Sequence, residues 1–264
     1  MNLLEGKVVI VSGIGPGLGQ DLSTRAAPEG AAAVVLAART PEKLEAAERA
    51  IRDLGLSTPL LRVATDIADP VQCRNLAERT IGEYGRIDVL FNSAYDPGSF
   101  EPVEVADLES WRRAMDVNFF GTVQLTQACV AHMKTAGGGA VVMIGSMVEH
   151  KPLATQGGYA ASKAALRAAT KQLALELGRY KIRVNSCHMG WMWGPAVQGY
   201  FAWQAGETGR PQEELIAEVA RNIPLGSIPE DADCARAAVL LASDYACVVT
   251  GAALEVNGGE FMPV

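Results

Sequence analysis

The sequence predicts a doubly wound α/β fold: a single dinucleotide-binding and catalytic domain over residues 1–264, with a parallel sheet of about seven strands and helices on both faces. Three observations predict it. Short runs of aliphatic and β-branched residues alternate with longer helical segments along the whole chain. The first run is followed at once by Gly13, Gly15, Gly17 and Gly19. The residues able to do chemistry fall at the ends of the predicted strands, where open parallel sheets bind their ligands.

Residues 7–12, Lys-Val-Val-Ile-Val-Ser, form a continuous apolar run that suits a strand buried on both faces. The glycines then turn the chain into a helix whose N-terminus attracts negative charge, and they let the backbone approach a phosphate. Leu18 breaks the Gly-x-Gly-x-x-Gly spacing, and without a Gly-Lys-Ser/Thr ending the loop is not that of a P-loop NTPase. The helix stops near Pro28. A second strand over 33–38 leads to Arg39 and Thr40, and 41–54 reads as an amphipathic helix with Glu42, Lys43, Glu45, Glu48 and Arg49 outward. The third strand, 60–64, ends in Thr65-Asp66-Ile67. Either Asp66 or Asp69 can cap the helix that runs to Tyr84.

The fourth strand, 86–92, ends in Asn92-Ser93-Ala94-Tyr95. A long helix over 104–134 carries Asn118 among apolar neighbours, an unusual place for an amide. Residues 140–146 form a strand that ends in Ser146. On the next helix, Tyr159 and Lys163 stand four apart and share a face. A neighbouring ammonium stabilises a phenolate and lowers a tyrosine pKa from about 10, which would let Tyr159 exchange a proton with a substrate oxygen. A sixth strand over 181–188 leads to Met189–Pro195. Residues 194–229 begin without regular pattern, carrying Tyr200, Phe201 and Trp203, and become helical around 211–222. A helix over 229–243 and a strand within 250–259 close the chain.

Ser12-Gly13 with Gly17 and Gly19, then Ser146, Tyr159-Ala-Ala-Ser-Lys163 and a C-terminal Asn257-Gly258-Gly259, together resemble the short-chain dehydrogenase/reductase family over nearly the whole chain, Lys7 to Gly259. The resemblance implies a Rossmann-type fold and reversible hydride transfer between a nicotinamide cofactor and a secondary alcohol or ketone. It implies that Asn118, Ser146, Tyr159 and Lys163 are catalytic, Asn118 by anchoring a proton-relay water. It also implies that Ser12, Gly13, Gly17, Leu18, Gly19, Asp66, Ile67, Asn92, Ala94, Tyr159, Lys163 and the backbone of Met192 bind the cofactor, with Asp66 at the adenine. Tyr95, Met189 and Gly194 depart from the family's usual glycine, proline and threonine. Residues 190–228 correspond to its substrate loop. An acidic residue at the end of the second strand binds adenosine ribose hydroxyls, whereas arginine accommodates a 2′-phosphate, so Arg39 favours NADP(H) over NAD(H), which stays possible. Trp191, Trp193, Tyr200, Phe201 and Trp203 suggest either a bulky lipophilic substrate or local packing. A homo-oligomer, tetramer or dimer, is expected from the family, with the alanines of the Tyr159 helix packing against a neighbour.

The formal charge of −7 argues against a nucleic-acid partner. No apolar stretch approaches the roughly 18 residues that span a membrane. The acidic N-terminus does not read as a signal peptide, and Cys73, Cys129, Cys187, Cys234 and Cys247 show no Cys-x-x-Cys pair, so a cytoplasmic location is expected. With only His132, His150 and His188 and no His-Glu-x-x-His, no metal site is expected. Two rival functions remain: a catalytically inactive dinucleotide-binding regulatory protein of the same fold, and a serine hydrolase. The second is disfavoured because Ser146 lies outside any Gly-x-Ser-x-Gly elbow.

Overall fold

The structure, a computed structural model, describes residues 2–263, so Met1 and Val264 at the ends of the predicted domain lie outside the described residues. Seven parallel strands form the sheet: β1 (Val8–Ser12), β2 (Ala33–Ala38), β3 (Leu60–Ala64), β4 (Val89–Asn92), β5 (Gly139–Ser146), β6 (Ile182–Met189) and β7 (Ala253–Val256). Their order is β3-β2-β1-β4-β5-β6-β7. The direction of winding reverses between β1 and β4, and such a switch point opens a crevice at the carboxyl ends of the strands.

Successive side chains of a strand point to opposite faces, and here both faces are covered. Val9, Val11, Val34, Leu36, Phe91 and Val142 pack beneath α1 (Leu18–Ala26), α2 (Pro41–Arg52) and α9 (Asp231–Ala242), through Leu22, Leu44 and Val239. Ile10, Val35, Leu90, Val141 and Met143 face α3 (Pro70–Tyr84), α5 (Thr122–Ala136) and α6 (Gly157–Leu177), through Leu76, Leu125 and Leu166. A strand buried on both sides has no polar face, which is why the runs at 8–12 and 33–38 are unbroken.

Four expectations change. The predicted helix over 104–134 divides into α4 (Leu108–Met115), a π-helical turn over Asp116–Gly121, and α5. Asp107 caps α4 by accepting from Glu109 N and Ser110 N, which fixes its start four residues late. Strand β4 begins at Val89 rather than 86, because Arg86 and Asp88 pair through two hydrogen bonds and Asp88 also accepts from Val8 N. Residues 195–208, expected to be irregular, form α7 (Pro195–Thr208), followed by α8 (Gln212–Ala220). Only Phe201 of α7 is buried, so no apolar stripe announces the helix. Strand β7 spans four residues, because Gly258 and Gly259 take left-handed φ and Asn257 Oδ1 accepts from Gly259 N to make a turn.

Candidate active site

A cleft of about 370 Å³ lies at the carboxyl ends of β1, β2, β4, β5 and β6. The loop after β1 makes its floor. Gly13 and Gly17 have φ of +90° and +104°, which side-chain-bearing residues avoid, and a Cβ on Gly19 would overlap the Gly13 carbonyl. The N-terminus of α1, beginning at Leu18, faces the cleft. Ser12 Oγ is fully buried there with no hydrogen-bond partner, so the cradle holds an unused polar group as well as unused helix N–H groups. The donors and the close backbone fit a dinucleotide diphosphate.

At the end of β2, exposed Arg39 lines the cleft with Thr40. A second cation stands beside it: Lys43 Nζ lies 3.9 Å from where a Gly15 Cβ would be. The sequence reading placed Lys43 on the outer face of α2. It belongs to the first turn of that helix, and the first turn after a parallel strand lies at the cleft end of the sheet, a signal available from the topology alone. Asp66 lines the same wall, with Oδ1 accepting from Ala68 N, while Asp69 caps α3 by accepting from Val71 N and Gln72 N. Of the two capping candidates, Asp69 is the cap. Ile67, Ala94 and Met192 also line the cleft.

Asn92 does not line it. Its amide nitrogen bonds Thr126 Oγ1 at 3.0 Å and Met143 Sδ at 3.3 Å, tying β4 to α5 and β5. Asn118 is likewise fully buried behind the wall, in the π turn. Its Oδ1 accepts from Asp96 N at 2.7 Å, and its Nδ2 donates to Asp96 O at 2.8 Å and to Ser162 Oγ at 2.9 Å. Ser162 in turn donates to Tyr159 O. Asn118 thus locks the loop after β4 to the turn of α6 that carries Tyr159.

Ser146, Tyr159 and Lys163 converge in the cleft. Lys163 is 2% exposed and donates to Ile144 O at 2.7 Å, with Nζ 5.6 Å from the Tyr159 ring centre. Burial lowers the Lys163 pKa to about 8, with the Glu149 carboxylate pushing it back up. Burial raises the Tyr159 phenol above its ordinary range, and a hydrogen bond with Ser146 pulls the other way. The lowering of Tyr159 by Lys163 is therefore not what sets its direction here. Desolvation is the largest cause, and the Lys163 ammonium is committed to the Ile144 carbonyl.

The departures from the family pattern have local causes. Tyr95 meets Tyr159 edge-on, with ring centres 6.4 Å apart, and walls the cleft mouth. At position 194 a Cβ would overlap the carboxylate of Asp231, which would have to shift to admit the family's threonine. Asp231, the first residue of α9 and 8% exposed, was not singled out from sequence. Burial, with Asp21 and Glu230 nearby, raises its pKa to about 6. Trp191 and Trp193 stack around buried Phe201 in a satellite core with Leu215, Ile223 and Ile228, so these aromatics pack on one another, away from the cleft. A larger hollow of about 580 Å³ at the opposite end of the sheet has three of its cations engaged already, Lys7 with Asp244, Arg86 with Asp88 and Arg183 with the carbonyls of Leu241, Ala242 and Ser243.

A glycine cradle at a topological switch point, with a serine, tyrosine and lysine converging beside it, defines a dinucleotide-binding oxidoreductase. The sequence model of the family described as enoyl-(acyl carrier protein) reductase matches residues 13–260. The D-threitol dehydrogenase of Mycolicibacterium smegmatis is 35% identical over 263 residues, covering 97% of this chain and 93% of that protein. Among solved structures, the L-sorbose reductase of Gluconobacter frateurii complexed with NADPH and L-sorbose superposes with a TM-score of 0.93 at 28% identity, covering 100% of each chain. An NAD⁺-bound xylitol dehydrogenase gives 0.89 at 27% identity, covering 97% of this chain and 99% of that one. The chain belongs to the short-chain dehydrogenase/reductase family and is an NAD(P)-dependent oxidoreductase acting between CH–OH and carbonyl groups.

Proposed function

We propose that the protein transfers hydride reversibly between NADP(H) and a secondary alcohol or ketone with an apolar flank, with Tyr159 as the proton donor to the carbonyl oxygen. The observation that carries this reading is the convergence of Ser146, Tyr159 and buried Lys163 in one cleft. The nicotinamide, when bound, supplies or accepts the hydride. In reduction, Ser146 donates a hydrogen bond to the substrate oxygen and Tyr159 gives up its proton, for which a phenol held above its ordinary pKa is suitably protonated at neutral pH. Lys163 stabilises the phenolate left behind and holds the cofactor ribose. Asn118, its amide protons engaged, acts as a positioning residue. A relay water on this residue would hang from its main chain.

Ser12, Gly13, Gly17, Leu18 and Gly19 hold the diphosphate, Asp66 and Ile67 the adenine, and Ala94 and the backbone of Met192 the nicotinamide half. Asn92 acts from behind, by fixing β4. Arg39 and Lys43 supply two cations for a 2′-phosphate, which supports NADP(H) over NAD(H). The substrate end is bounded by Tyr95, Met189, Met192 and Val197, which suits an apolar flank better than a polyol chain. The whole chain works as one unit, with residues 190–228 closing over the substrate. Exposed Ala161, Ala168 and Leu175 on one face of α6 support a homo-oligomer, tetramer or dimer. Five unpaired cysteines support a cytoplasmic location.

The test is Tyr159→Phe, assayed with NADPH on a cyclic diketone and on a ketose. Turnover is expected to fall about 10²–10⁴-fold with cofactor affinity unchanged, and the wild type to favour the diketone. Retained turnover would remove Tyr159 from the mechanism, and preference for the ketose would overturn the apolar substrate class.

A further inference from the structure

A second cluster lies beyond the cleft, where the turn after β5 meets β6 and β7. Glu149 follows Ser146 by three residues, and its side chain is fully enclosed. Its Oε1 lies 3.2 Å from His188 Nδ1 and 3.4 Å from His150 Nε2. Glu255 Oε1 on β7 approaches the same His188 nitrogen at 3.2 Å. None of these short approaches is a hydrogen bond: both Glu149 oxygens, His188 Nδ1 and Glu255 Oε1 are buried without a partner.

The tautomer of His188 explains why. Its Nε2 lies 2.9 Å from Ser186 Oγ, and that hydroxyl donates its own proton to Ala252 O. With the hydroxyl donating to Ala252 O at 3.4 Å, it accepts from Nε2–H in the tautomer that leaves the Nδ1 lone pair directed between the two carboxylates. Acceptors facing acceptors in a buried space require a cation between them. Nitrogen and oxygen donors with two histidines favour a transition-type ion over magnesium or calcium. Bonds of about 2.0–2.2 Å to tetrahedral zinc put neighbouring donors about 3.3–3.5 Å apart, close to the 3.2 and 3.4 Å that separate Glu149 Oε1 from the two histidine nitrogens. Ser186 already supplies the outer hydrogen bond that orients a metal-binding imidazole.

We propose that Glu149, His150 and His188 form a zinc site, with Glu255 beside His188 as an outer carboxylate, that ties the turn after Ser146 to β6. No metal site was expected, because His150 and His188 belong to no metal spacing and meet through the β5–β6 register, which sets Gly145 opposite His188. Arg167 is the competitor. Its Nε lies 3.1 Å from Glu149 Oε1 and serves as the counter-charge, on a side chain exposed enough to swing into solvent when the ion enters.

The experiment is calorimetric titration of the chelator-treated full chain with Zn²⁺, together with the absorption spectrum of the Co²⁺-loaded protein. One ion per chain is expected, with tetrahedral Co²⁺ bands and no thiolate charge-transfer band. His150→Ala, at a partly exposed position that leaves the core intact, should weaken binding at least about tenfold. Glu149→Gln should abolish it, and Arg167→Gln should tighten it. Failure to bind zinc would overturn the site and leave a proton as the cation between Glu149 and His188. Binding unchanged by His150→Ala, or a thiolate band in the Co²⁺ spectrum, would equally overturn it by moving the ion to other ligands.

Discussion

At the scale of single residues, the cleft carries a carboxylate that its own ligand should dislike. Asp231 borders the phosphate cradle, and its pKa is raised to about 6 from an ordinary 3.8. Between those values the folded protein keeps a proton that the unfolded chain has lost, so stability falls as pH rises through that window and the full penalty applies above it. The magnitude is on the order of 1–3 kcal/mol. Asp231→Asn should therefore melt higher than the wild type at pH 7 and nearly level with it at pH 4. A lower melting point at pH 7 would mean that the start of α9 needs the charge. Arg39 and Lys43 make a second residue-scale prediction. Each alanine variant should weaken NADPH binding by about 1–3 kcal/mol while leaving NADH binding unchanged, as titration at one ionic strength would reveal. Equal losses for both cofactors would show that neither cation reads the 2′-phosphate.

At the scale of elements, the site depends on how closely neighbouring segments approach. Gly194 sits against Asp231 where the loop after β6 meets α9, and Gly157 and Gly158 sit against the Trp111 ring where α6 meets α4. A Cβ on Gly158 would stand 2.8 Å from Trp111 Cγ, one residue before Tyr159. Gly158→Ala should thus move the phenol and lower turnover, at a stability cost of about 1–3 kcal/mol from overpacking. Gly194→Thr restores the family's residue but should destabilise by a similar amount, and adding Asp231→Ala should recover much of the loss. Thermal melts of the two single variants and the double variant would decide it. Simple additivity would exclude the clash as the cause. The π turn at Asp116–Gly121 belongs to this scale too, since it places Asn118 where both Asp96 and Ser162 are in reach.

At the scale of the whole molecule, the central strands of the parallel sheet are buried on both faces, while α6 leaves Ala161, Ala168 and Leu175 exposed on one side. Leu175 is 78% exposed, which a solvated helix has no need of. Analytical ultracentrifugation should find a dimer or tetramer, and Ala168→Arg should shift it toward the monomer without changing cofactor affinity. A wild-type monomer would assign those side chains to solvent.

Much of this protein was legible without coordinates. The aliphatic and β-branched runs marked five of the seven strands nearly to the residue, most plainly β1 and β2, because a strand buried on both faces leaves little room for a polar position. The glycine loop and the Tyr159–Lys163 spacing pointed to the cleft, because helix periodicity and backbone sterics act locally and are written locally. What tertiary structure alone decided depends on residues far apart in the chain. Asp231 joined the cleft through the return of α9 to the first turn of α1. Asn92 and Asn118 proved to brace the site from behind, since an amide's partners lie on other elements. Helix α7 had no apolar stripe to announce it, its one buried side chain packing into a local aromatic cluster. Burial rather than the neighbouring lysine set the direction of the Tyr159 pKa, for desolvation depends on everything that surrounds a group and on nothing in its immediate sequence.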